Sequence, residues 1–225
     1  VLDTHFDCLS PYQLDYFTRA FFPDGLVIRR QPSNARRIWY ATNQNIVSDA
    51  DAVTAGRIPS IFVGPPGCLF RLYQAPPDPV GIAFENGMRF HGAEVIESVG
   101  NQPVIITHPP AFREGETIRV RLWWSADQPP ERDYSVGVYL VDQEGAIMLQ
   151  SDSAPQTTPP ETSRWTPGQL YTEERLITLP NPLQRGDYPL TMAVYGYWDQ
   201  VRVLAQGVDP DTRSITLMTL SVMSW

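Results

Sequence analysis

The chain is predicted to be mainly β: an antiparallel two-sheet β-sandwich, jelly-roll or immunoglobulin-like, preceded by a small α/β unit. Three observations predict this. The first is alternation. Ile118, Val120, Leu122 and Trp124 recur at every second position with Arg119 and Arg121 between them, the period of a strand with one buried face. Tyr134, Val136, Val138 and Leu140 repeat it. The second is proline, of which the chain has 22. Pairs such as Pro65-Pro66, Pro129-Pro130 and Pro159-Pro160 give no N–H to a ladder and disfavour helix in the residue before them, so they separate strands. The third is the succession of short β-patterned runs with turn signals between them beyond residue 80, as a sandwich requires.

Taken in order, Ser10-Pro11-Tyr12-Gln13 opens a helix, with Ser10 as N-cap, Pro11 at the first helical position and Gln13 completing a capping box. Leu14, Phe17 and Phe21 share one face of it, and Pro23-Asp24-Gly25 ends it. Apolar runs follow at Leu26 to Ile28 and Ile38 to Ala41, then a helix over Ser48 to Ala55, then runs at Ile61 to Val63 and Leu69 to Tyr73. This mixture predicts a small α/β unit over residues 1–80. The proline-rich stretch Gln74 to Val80 marks the boundary, and the sandwich occupies 81–225. Its strands are expected at Met88 to Ile96, Val104 to Thr107, Thr117 to Trp124, Tyr134 to Val141, Ala146 to Gln150, Glu173 to Leu179, Tyr188 to Tyr197 and Ser214 to Val222. Asp142-Gln143-Glu144-Gly145 closes a hairpin, with Gly145 free to take positive φ.

Composition excludes some functions. Seventeen basic against 25 acidic residues give a net charge of −8, and every basic residue is arginine. No basic face for a nucleic-acid backbone is expected. No run of about 18 apolar residues occurs, so no membrane-spanning helix is expected. The chain starts at Val1 without a signal-like stretch and reads as an excised fragment or mature product. Cys8 and Cys68 fit either one disulfide or two buried thiols.

Catalytic signals are weak. His5, His91 and His108 are far apart and lack metal-ligand spacing, and no nucleophile elbow is present. The carboxylate pairs Asp142 with Glu144, Asp209 with Asp211, and Glu173 with Glu174 sit beside turns or strand ends, where acidic residues serve turn geometry. Asp209-Pro210-Asp211 lacks the spacing of a calcium loop, and Gly64-Pro65-Pro66-Gly67 is a turn rather than a phosphate cradle, since its prolines remove N–H donors. No metal, cofactor or catalytic residue is expected. Tryptophans carry the sharper expectation, because a sugar ring stacks its C–H face on an exposed aromatic while polar side chains bind its hydroxyls. Trp123 has the opposite strand parity to core Trp124 and is expected to point outward. Trp165 and Trp198 lie in or beside loops. Trp123, Trp165 and Trp198 are therefore the candidate ligand-binding residues, the alternative for each being that it fills the sandwich core, plugs its ends or packs on the N-terminal unit.

Residues 84–205 resemble a recurring domain of bacterial membrane glycosyltransferases, through FENGMRFHG at Phe84 to Gly92, LWWSADQPPERDYSVGVYLVDQEG, Gln150-Ser151-Asp152-Ser153, SRWTPG and LQRGDYPLTMAVY from Leu183. That domain is the C-terminal extracytoplasmic β-sandwich of dolichyl-phosphate-mannose-protein mannosyltransferase-like proteins. RRIWYAT and CLFRLYQAPPDP are similar to the α/β segment that often precedes it. The resemblance implies an extracytoplasmic, noncatalytic accessory domain tethered to the membrane domain of its parent glycosyltransferase, with a glycan or glycosylated acceptor as partner. The family's catalytic acidic residues and membrane helices have no counterpart here. A structural or protein-interaction sandwich without a ligand is the competing expectation, and an independent glycoside hydrolase a third.

Overall fold

The computed structural model describes residues 2–3, 16, 35–43, 55–63, 68–99, 102–105, 111–155 and 161–223. The chain divides into two compact units, Val1–Pro76 and Pro77–Trp225. Described residues are mainly β, arranged in three sheets.

In the first unit, β1 (Leu2–Asp3), β2 (Arg37–Asn43), β3 (Ile58–Val63) and β4 (Cys68–Gln74) form one sheet in the order β1-β2-β4-β3. β1 runs parallel to β2, and the other pairs are antiparallel. Pro59 lies on edge strand β3 at a register shift, where a missing N–H is tolerated. Apart from Tyr16 and Ala55, the two expected helices lie outside the described residues, as do the run Leu26 to Ile28, the loop Gly64 to Gly67, His5, Cys8 and His108.

The second unit contains β5 (Ile82–Ala83), β6 (Met88–Val99), β7 (Gln102–Ile105), β8 (Phe112–Arg113), β9 (Thr117–Ala126), β10 (Tyr134–Val141), β11 (Ile147–Ser153), β12 (Tyr171–Thr178), β13 (Gly186–Gly196) and β14 (Ile215–Met223). One five-stranded sheet has the order β12-β9-β6-β5, with β7 paired to β6 beside this path; the other has the order β11-β10-β13-β14-β8. Every strand expected from the sequence in this unit overlaps an observed one. The two-residue strands β5 and β8 are additional, being too short to show a period of two.

Alternation decides what each sheet buries. Ile118, Val120, Leu122 and Trp124 of β9, Val136, Val138 and Leu140 of β10, and Leu190, Met192 and Val194 of β13 all enter one continuous apolar core. Trp124 is its aromatic centre, with its ring 5.1 Å from Phe90, 6.1 Å from Phe84 and 6.3 Å from Trp165. Trp165 also stacks on Tyr171 at 4.7 Å.

One buried element breaks the apolar pattern. On β12, Glu173 and Arg175 occupy the same parity as core residues Tyr171 and Ile177. The Arg175 guanidinium pairs with Glu173 and Ser153 Oγ, and donates to the backbone carbonyls of Val136 at 3.2 Å and Ser153 at 3.0 Å. One side chain of the first sheet thus ties down strands β10 and β11 of the second.

Candidate functional site

The three tryptophans expected at the surface separate. Trp123 does lie on the face of β9 opposite to the apolar core, yet it is 0% exposed. Arg121, Ser125, His91, Glu94 and Ile96 are buried as well. Parity states which face a strand residue occupies, not whether that face is covered. Trp165 is 1% exposed and belongs to the core. Its loop is drawn inward by the one-turn 3-10 helix Thr162–Arg164, whose Thr162 hydroxyl accepts the Tyr134 amide at 2.9 Å and donates to the Arg132 carbonyl at 3.3 Å. Trp198 alone of the three is free, at 86% exposed.

Trp198 stands in the turn that follows β13. Its ring meets Tyr197 edge to face at 4.9 Å, and Tyr197 is exposed too. The turn is closed by the Gln200 amide on the Gly196 carbonyl at 2.9 Å and by the Gly196 amide on the Val201 carbonyl at 3.1 Å. Asp199 caps it by accepting the Val201 amide at 3.0 Å, and pairs with Arg132 at 2.9 Å. That amide first, and Arg132 after it, hold the Asp199 carboxyl below the usual carboxylate value. A Cβ at Gly196 would displace the Asp199 carboxylate from this position.

Beside this turn, a groove of about 370 Å³ is lined by Asp133, Tyr134, Ser135, Asp152, Ser153, Ala154, Tyr195, Tyr197 and Trp198. Register explains its composition. Ser135 pairs with Tyr195, and Gly137 pairs with both Ala193 and Asp152, so these residues project from the sheet face away from the core. Tyr139, paired with Gln150 and Thr191, continues the same face. Gly137 lacks the side chain that would collide with both the Tyr139 hydroxyl and the Asp152 carboxylate; its absence lets those two groups converge. Gln150 Nε2 donates to Asp152, and Arg202 lies over the Tyr139 ring at 5.4 Å. Burial raises both the Tyr139 and Tyr195 phenols above the ordinary tyrosine value, and the negative charge of Asp152 adds to each shift. The groove is therefore aromatic, hydroxyl-rich and negatively charged. Its sequence signal was Ser135-x-Gly137-x-Tyr139 in the outward register of β10, a glycine between two polar residues where a strand ordinarily carries bulk.

The other candidate chemistry has structural employment. His91 makes contacts through Nδ1 with the Asp78 carbonyl and through Nε2 with Ser125 Oγ, each at 2.8 Å. Asp142 accepts the amides of Glu144 at 3.0 Å and Ala146 at 2.7 Å, and Asp209 accepts that of Asp211 at 3.0 Å, as turn-forming carboxylates do. Glu173 faces the core while Glu174 pairs with Arg121 at 2.7 Å on the other face, so the two never address one bond. Among the described residues no cluster of metal-ligating side chains occurs, and no helix is long and apolar enough to cross a membrane.

No family model and no curated protein matches the sequence, and so no sequence match to a mannosyltransferase-like protein is found. Three solved structures show a partial likeness. The C-terminal domain of wzt matches over 64% of this chain and 78% of its own, at 15% identity and TM-score 0.43. The Pseudomonas fluorescens alkylpurine DNA glycosylase AlkC, bound to DNA containing an abasic site analog, matches over 62% of this chain and 31% of its own, at 10% identity and TM-score 0.31. A Niemann-Pick type C2 protein from Japanese carpenter ant matches over 52% of this chain and 86% of its own, at 7% identity and TM-score 0.30. Likeness at this level assigns neither family nor ligand.

Proposed function

We propose that the second unit is a noncatalytic carbohydrate-binding β-sandwich of jelly-roll or immunoglobulin-like type. In this reading it follows a small α/β unit and serves as the extracytoplasmic accessory domain of a membrane glycosyltransferase-like protein, where it holds a glycan or glycosylated acceptor. The observation that carries the proposal is Trp198, 86% exposed on the rim of a groove furnished with hydroxyls and carboxylates. Trp198 is exposed together with its neighbours Tyr197 and Val201, and an aromatic platform beside hydrogen-bonding groups is what a sugar ring requires.

The burial of Trp123 and Trp165 favours the competing reading of a structural or protein-interaction module, and one experiment separates them. The chain is applied to a glycan array and its hits are measured by calorimetry, with Trp198→Ala in parallel. Loss of an aromatic contact worth about 1.5 kcal/mol is expected to weaken binding roughly tenfold while the thermal midpoint stays within about 2 °C, as for an exposed side chain. Absence of any glycan hit, or hits whose affinity Trp198→Ala leaves unchanged, overturns the carbohydrate reading at this groove.

A further inference from the structure

We infer that Arg175, which belongs to the other sheet and does not line the groove, is the positioning residue for the groove's β11 side, so that ligand affinity depends on it separately from stability. The inference rests on the carbohydrate reading above and adds to that site a residue outside it. Asp152, Ser153 and Ala154 make up the β11 side of the groove. They lie at the end of β11 and just past it. β11 is the edge strand of its sheet, pairs with β10, and is exposed or half-buried along its whole length. Such an end is held on one side by its ladder and opens at low cost unless something else ties it.

Arg175 is what ties it. Ser153 pairs with Val136 on the final rung of the β10–β11 ladder, and Asp152 pairs with Gly137 on the rung before. Val136 belongs to the core while Asp152 lines the groove, so the two sides of this rung are the inside of the sandwich and the site. Reaching across from β12, the guanidinium donates to Ser153 Oγ, to the Ser153 carbonyl at 3.0 Å and to the Val136 carbonyl at 3.2 Å, which holds both members of the rung from the core side. Glu173, on the same face of β12, takes the remaining nitrogen and fixes the guanidinium in place. The two side chains are 6% and 0% exposed, so neither meets a ligand, and their effect on the groove passes through the backbone at Ser153. A planar fork serves a carboxylate, a hydroxyl and two carbonyls at once, as the point charge of an ammonium does not.

The test separates position from stability. Glu173→Leu with Arg175→Met, made in the full chain, replaces the ion pair by an apolar pair of similar volume and keeps most of the stability, but offers Ser153 and Val136 no donor. Wild type and double variant are compared by calorimetry against the oligosaccharide that gives wild type its strongest signal on the glycan array, and by hydrogen exchange of the peptide from Gln150 to Pro155. The double variant is expected to melt within a few degrees of wild type, yet to bind that oligosaccharide roughly tenfold more weakly and to exchange faster over that peptide. Arg175→Lys, which keeps a charge beside Glu173, takes its place with the same expectations should the double variant fail to fold. Wild-type affinity, or wild-type exchange over Gln150 to Pro155, in a folded variant overturns the positioning role and leaves the carbohydrate reading standing. A blank array removes both.

Discussion

Arg175→Ala is expected to destabilise the second unit by about 3–5 kcal/mol, the cost of leaving one member of a buried ion pair uncompensated. The geometry supports the upper part of that range. The side chains of Arg175 and Glu173 are 6% and 0% exposed, so water cannot replace the missing guanidinium. The same substitution frees the Val136 and Ser153 carbonyls, which Arg175 satisfies at 3.2 and 3.0 Å across the gap between sheets. For a domain of this size each kcal/mol shifts the midpoint by roughly 2–4 °C, so a fall of about 6–20 °C is expected. Replacing both partners, as Glu173→Leu with Arg175→Met, should restore most of the loss, because an apolar pair of similar volume carries no desolvation cost.

The effect also has a pH signature. Burial raises the Glu173 carboxyl above its ordinary value of 4.5, and Arg175 opposes the rise. With the folded-state value raised, the native protein binds more protons than the unfolded chain from about 4.5 upward, so this group's contribution to stability falls as pH rises through that window. Removing Arg175 raises the carboxyl further. The penalty of Arg175→Ala should therefore be smaller near pH 4 than near pH 7, because the part owed to the Glu173 charge grows with pH while the part owed to the freed Val136 and Ser153 carbonyls is present at both. Guanidinium chloride unfolding followed by tryptophan fluorescence at the two pH values measures it. A penalty under about 1 kcal/mol, or one identical at both pH values, would refute the argument.

Two further substitutions test the other assignments. Trp165→Ala should cost about 3–5 kcal/mol as a large buried ring is removed; a thermal melt unchanged from wild type, with only ligand binding lost, would contradict its place in the core. Asp127→Asn should cost under about 1 kcal/mol at neutral pH, because its pair with Arg89 is largely solvated. The Arg89 hydrogen bond lowers the Asp127 carboxyl below 3.8, so this stabilisation is present above the unfolded value and disappears as pH falls through the folded one. Urea titrations of both proteins at neutral and strongly acid pH should converge at the acid end, and a difference that persists there would count against the pair.

Legibility in the sequence was uneven, for identifiable reasons. Strands β9 and β10 could be read directly because a sheet with one buried face imposes a period of two, and that period also placed Trp124 in the core. β12 could be read only in part. Tyr171, Glu173, Arg175 and Ile177 keep the period, but two charged residues at core positions disguise it, since their burial depends on each other and on carbonyls of another sheet. Trp165 sits in a stretch rich in polar and turn residues, and nothing local shows that Thr162 and Tyr171 will draw it inside.

The candidate site follows the same division. Trp198 was expected beside a loop on the same grounds as Trp165, and only the structure separates the two. The groove beside it could not be foreseen, because Asp133, Asp152 and Tyr195 are distant in sequence and meet only through the pairings of β10 with β11 and β13. The sequence alone determined the β class, the main strands of the second unit and the inward faces of β9 and β10, because these depend on local periodicity and turn chemistry. Only the tertiary structure decided that Trp123 is covered, that Trp165 is core, and that two carboxylates and a set of aromatics share one surface. Those outcomes depend on register and on what packs over a face, and both are set by partners far along the chain.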